Sequence, residues 1–96
     1  MKKDKERVQD EVWTEARIRS FLDLQPPAGV NADYHRLQRA YQSMRDEDFA
    51  IFVEIFCQAG GNINARGNSG ETLGEEIARH RYASEFVRIL ADAAAN

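Results

Sequence analysis

Phe49-Ala-Ile-Phe-Val-Glu-Ile-Phe-Cys57, then Gln58-Ala-Gly-Gly-Asn-Ile-Asn-Ala-Arg-Gly-Asn-Ser-Gly70 and Glu71-Thr-Leu-Gly-Glu-Glu-Ile-Ala78, is the stretch that decides the fold. Its first nine residues are apolar nearly all round a helix, and a helix with no wet face has to be sandwiched between neighbours. This segment is therefore expected at the centre of the core, with Cys57 as a buried small hydrophobe. Gly60-Gly61 stop the helix, Gly60 by taking a positive φ where the last turn ends. Residues 62–70 read as a polar loop interrupted by Ile63 and Ala65, with Ile63 expected to point inward and Gly70 to turn the chain. Thr72 and Glu75 have the spacing of a capping box, in which each side chain satisfies the other residue's backbone amide. They open a short helix with Leu73, Ile77 and Ala78 on its apolar side.

Downstream, Ser84 starts a last helix whose apolar face is Phe86, Val87, Ile89, Leu90 and Ala93. Sliding this helix over the central one by about 34 residues superposes Phe52-Val53-Glu54-Ile55-Phe56-Cys57 on Phe86-Val87-Arg88-Ile89-Leu90-Ala91, charge over charge and apolar over apolar. Each copy is a short helix, a corner and a longer apolar helix.

From Ile55 through Ala78 the chain resembles the ankyrin repeat without a gap. That pattern closes its second helix with leucines, continues Gly-Ala-Asp-Val-Asn-Ala, turns, and resumes Gly-x-Thr-Pro-Leu-His-x-Ala-Ala. Here the slots hold Ile55-Phe56-Cys57, Gly60-Gly61-Asn62-Ile63-Asn64-Ala65 and Gly70-Glu71-Thr72-Leu73-Gly74-Glu75-Glu76-Ile77-Ala78. Leu73 replaces the proline of the pattern, Gly74 a core leucine, and Glu75 the histidine whose hydrogen bond ties neighbouring repeats. The resemblance implies an all-α, short ankyrin-like helical array of about two degenerate repeats, spanning about 33 to 96. It also implies partner contacts at the loop tip and the exposed side of the short helix, which here are Arg66, Asn68, Ser69, Glu71, Glu75, Glu76, Arg79 and His80. The whole chain is similar, too, to a family of small uncharacterised proteins of gamma-proteobacteria. That likeness is carried by the charged start, by Arg17-Ile-Arg-Ser-Phe-Leu-Asp-Leu-Gln-Pro-Pro27 and by Gly70-Glu71-Thr72-Leu73; it implies a bacterial protein and brings no activity.

Toward the N-terminus, Asn31 or Asp33 caps a helix with Tyr41 on the same stripe as Leu37, Ala40 and Met44. Tyr34, Tyr41 and Tyr82 read as amphipathic cover for the core edges. Before it, Thr14 caps a shorter helix carrying Ile18, Phe21 and Leu22, with Trp13 placed to staple onto Ile18, and Pro26-Pro27 end it. This first helix is expected to cap the array by packing on the Leu37–Met44 helix, since a repeat stack needs closed ends. Residues 1–10 carry charges of both signs and one sizeable apolar residue, Val8, and are expected to be a disordered arm before a single helical domain over 11–96.

The net charge of −3 argues against nucleic acid as the main partner, which needs a basic face. No apolar run is long enough to span a membrane, and the lysine-rich start lacks the apolar region of a secretory signal. With a single cysteine and no internal disulfide, the cytoplasm is the expected compartment. Catalysis would need a nucleophile, a base and an orienting group in one cleft. The only candidates are Cys57 with His35 or His80, and a thiol in apolar surroundings is suppressed. Glu76 and His80 share a helix face, but two ligands do not hold zinc. The 60–70 loop lacks the Gly-Lys-Ser/Thr ending of a phosphate loop. The expectation is a monomeric, non-catalytic protein-interaction domain without a cofactor or metal. The alternative is a nucleic-acid- or nucleotide-associated accessory protein using Arg36, Arg39, Arg66, Arg79 and Arg81.

Overall fold

The computed structural model describes residues 13–95. The proposed N-terminal arm, residues 1–10, and the start of the domain at 11–12 lie outside them. The described chain is all-α, in the order α1 (Glu15–Arg19), a 3-10 turn (Ser20–Asp23), α2 (Ala32–Ser43), α3 (Asp46–Gln58), α4 (Leu73–Ile77) and α5 (Ser84–Ala95).

Side chains set most of the boundaries. Thr14 accepts the Arg17 amide at 3.1 Å, and Asn31 accepts the Tyr34 amide at 3.0 Å. Asn31 is thus the cap of α2, with Asp33 in its first turn. Three carboxylates, Asp46, Glu47 and Asp48, open α3, where the exposed amide dipoles favour negative charge. Its other end closes as a Schellman motif: the Gly61 amide reaches the Phe56 carbonyl (2.9 Å), the Gly60 amide reaches that of Cys57 (3.0 Å), and Gly60 has φ +91°. Gly61 is required for space. A Cβ there would lie 2.5 Å from the Phe56 ring. The Thr72–Glu75 capping box forms as read, at 3.1 and 3.0 Å.

The helices make two layers. α2 and α4 lie side by side in one, α3 and α5 in the other, with α3 packed under α2 and α5 under α4. Seven large side chains are essentially sealed among the described residues, led by Phe49, Phe52 and Phe56 of α3. Aromatic contacts join the parts. Tyr41 and Phe49 meet Phe86 at centroid distances of 4.9 and 5.2 Å, stitching the two helix pairs. Phe21 reaches Phe52 at 6.4 Å. Of the pairs superposed by the shifted copies, only Phe56 and Leu90 are both in the core; Phe52, Val53 and Ile55 are buried while Phe86, Val87 and Ile89 are half-buried.

Several expectations are corrected. α3 does have a wet side, comprising Ala50, Ile51, Glu54 and Cys57, because α5 covers only one flank of it. Cys57 is exposed rather than buried. Phe86 and Ile89 are half-buried, since α5 has neighbours on only part of its surface. Ile63 is half-buried and Ala65 takes the inward place; Ala78 faces water. Tyr34 is a core residue at 6% exposure and Tyr82 is 86% exposed, so neither is edge cover. Trp13 staples onto Phe21 (5.7 Å) beneath the Arg17 guanidinium. α1 packs chiefly on α3, and it is the 3-10 turn that rests on α2.

Candidate functional site

The loop after α3 is a built structure. Asn62 accepts the Asn64 amide on its side chain and the Ala65 amide on its carbonyl, making a tight turn that seats Ala65 in the core. Arg66 and Thr72 pair as a single antiparallel bridge. Between them the Gly67 amide bonds the Glu71 carbonyl and the Gly70 amide bonds that of Gly67, both at 2.9 Å, and Gly70 has φ +87°. The loop is therefore a small hairpin with Asn68 and Ser69 at its exposed tip.

Seven of the eight residues assigned to the face make hydrogen bonds, within the hairpin, α4 and the corner after it or across to α2. Arg66 donates to the Gly70 carbonyl (2.7 Å) and to Glu75 (3.3 Å). Arg79 forms a two-pronged pair with Glu71 at 3.0 and 2.9 Å. That guanidinium holds the Glu71 carboxyl below its ordinary range. Glu76 accepts the Tyr34 hydroxyl from α2. His80 meets the Tyr41 hydroxyl through Nδ1 at 2.9 Å, with the two rings stacked. Ser69 accepts the Glu71 amide at 3.4 Å, and Asn68 is exposed. The face is polar, of mixed sign, and fixed in geometry.

Residues missed by the sequence reading hold the face against the first helix pair. Asp33 of α2 accepts the Asn62 amide at 2.9 Å. Gly67 lies flat against the Tyr34 ring, where a Cβ would come within 2.6 Å. A loop glycine beyond those the turns use was the available signal: Gly67 has no positive φ and is there for close approach rather than for the turn.

Tyr34 is pushed up to about 12, first by burial and then by its bond to Glu76. Because the folded state holds this proton more tightly, the contribution is complete below pH about 10 and disappears as pH rises through about 12. Tyr34→Phe lacks it. The stability advantage of the natural protein over Tyr34→Phe is expected to shrink by about 1.4 kcal/mol between pH 9 and pH 11, read from urea unfolding of both proteins. Curves that stay parallel over that window would show that the phenol is not desolvated.

Among the described residues, no three His, Cys, Asp or Glu side chains gather to hold a metal ion, and no helix is long and apolar enough to cross a membrane. Cys57 lines a groove between α3 and α5 whose lining includes no histidine, and its apolar surroundings push the thiol up from its ordinary value. No known protein family, curated protein or solved structure matches the chain.

Proposed function

We propose that this protein is a non-catalytic interaction domain that binds another protein through the hairpin tip and the exposed side of α4. The observation that carries the reading is the preorganised face itself, in which Arg66, Glu71, Glu75, Glu76, Arg79 and His80 are held in place before any partner arrives. Fixing side chains in advance lowers the entropy lost on binding, which favours affinity for one shape. The arrangement supports an ankyrin-type array of two degenerate units: two helix pairs side by side, joined by a hairpin. Glu75, in the slot of the histidine that links ankyrin repeats, instead closes the capping box. The Tyr34–Glu76 and Tyr41–His80 bonds take over the linking role. The accessory reading on nucleic acid is weakened by pairing, because Arg36, Arg66 and Arg79 each have a carboxylate partner. A monomer in a bacterial cytoplasm fits the same reading.

The double substitution Arg66→Glu with Arg79→Glu removes two exposed ion pairs, which contribute little to stability, and places four carboxylates together with Glu71 and Glu75. It is expected to fold normally and to lose capture of the cellular partner, since like charges across an interface repel. Arg88→Gln, on α5, is expected to keep it. Equal retention by both variants would move the binding face elsewhere. Equal loss, strongly relieved or worsened by salt, would point to a diffuse contact with a polyanion.

A further inference from the structure

The outer layer carries a second surface that the hairpin face does not use. α3 and α5 diverge enough to leave an open groove of about 370 Å³, floored by Ala50, Val53, Cys57, Ile89 and Ala93. Ile51, on the same wet side of α3, is 44% exposed, one of two large hydrophobic side chains left in water among the described residues. The charges around it are mostly acidic. Glu54 lines the groove itself, and the hollow that continues it past Ala50 and Ile89 is lined by Asp46, Glu47 and Glu85 with only Arg88 as a base. That single guanidinium is shared: it pairs with Glu85 at 2.6 Å and Asp92 at 3.6 Å, and it also feels Asp46. Glu47 and Glu54, one on each side of Ile51 along α3, are both exposed.

We propose that the groove between α3 and α5 is a docking site for a cationic amphipathic helix of a partner protein. Two parallel rows of side chains with an apolar furrow between them accept a third helix, whose residues at i, i+3, i+4 and i+7 fill the furrow. An acidic rim around that furrow selects Lys and Arg on the flanks of the incoming helix and repels Asp and Glu. A neutral or acidic helix would bury its apolar stripe equally well but would leave the rim carboxylates facing no counter-charge, so the sign of the rim identifies the occupant. This surface is independent of the hairpin face, and either can fail without the other.

The test uses the full chain and a labelled helical peptide of about 16 residues, with Leu at the furrow positions and Lys on the flanks, in near-physiological salt. Two control peptides accompany it, one with the same residues in scrambled order and one with Glu replacing Lys. The amphipathic cationic peptide is expected to bind saturably, and each control at least about tenfold more weakly. Glu47→Lys with Glu54→Lys is expected to weaken binding by about tenfold or more, with Glu47→Gln/Glu54→Gln intermediate and helical content unchanged. Arg66→Glu with Arg79→Glu is expected to bind as the natural protein does. Equal affinity for the scrambled peptide, indifference to the rim substitutions, or loss in the Arg66/Arg79 variant would each overturn the assignment. So would sedimentation of the chain alone as a dimer that the rim substitutions split, which would give the groove to a second copy.

Discussion

Phe56→Ala is expected to lower the stability of the domain by roughly 3–5 kcal/mol, the range for removing a phenyl ring from a packed core. The ring is 1% exposed, lies 5.8 Å from that of Phe52, and is pressed against Gly61. Those neighbours belong to a rigid turn and to the same helix, so they cannot collapse into the space left behind. A domain of this size has about 5–15 kcal/mol in all, and its melting temperature should fall by more than about 10 °C. The loss reaches beyond α3, because the Phe56 carbonyl and ring both position Gly61 and hence the start of the hairpin. A shift of only two or three degrees in calorimetry would mean that the centre of the core lies elsewhere.

Removal of residues 1–25 is expected to abolish cooperative folding. Within the described residues this deletes Ile18, which is 1% exposed, together with the half-buried Trp13, Phe21 and Leu22. Burying three or four large apolar side chains is worth on the order of 1.5–3 kcal/mol each, a sum comparable to the whole stability. The truncated chain uncovers Phe52 and the side of α3 on which α1 rests, and such a patch promotes association. Sedimentation and thermal unfolding check this directly. A monomeric truncation with a sharp transition would show that the N-terminal segment is an ornament on a core that closes without it.

Much of the chain was legible because its signals are local. The Thr14, Asn31 and Thr72 caps, the Gly60 stop and the Gly70 turn involve residues within about four positions of each other. Their side chains bond their own backbone whatever lies beyond. The apolar stripe of α2 and the dense apolar content of α3 likewise identify helices before any packing is known. The eight face residues came from a resemblance, and seven of them make hydrogen bonds, within the hairpin, α4 and the corner after it or across to α2.

What stayed illegible depended on which neighbour covers what. Cys57 and Phe56 are adjacent and both apolar, yet one faces water and the other is sealed, because the flank of α3 toward Cys57 is left as a groove. Tyr34 and Tyr82 read alike in sequence and sit at 6% and 86% exposure. By itself the sequence determined α2 to α5, the Thr14, Asn31 and Thr72 caps and the Gly60 and Gly70 turns, since each is decided by contacts a few residues apart; it did not show that α1 stops at Arg19, before the 3-10 turn, rather than at Pro26-Pro27. Only the tertiary structure decided that α2 is tied to α4 by Tyr34 with Glu76, and to the corner after α4 by Tyr41 with His80, 42 and 39 positions along the chain, and that α3 and α5 leave an apolar furrow. Those facts arise from the placing of one helix against another, and periodicity within a single helix carries no information about the side its neighbour leaves bare.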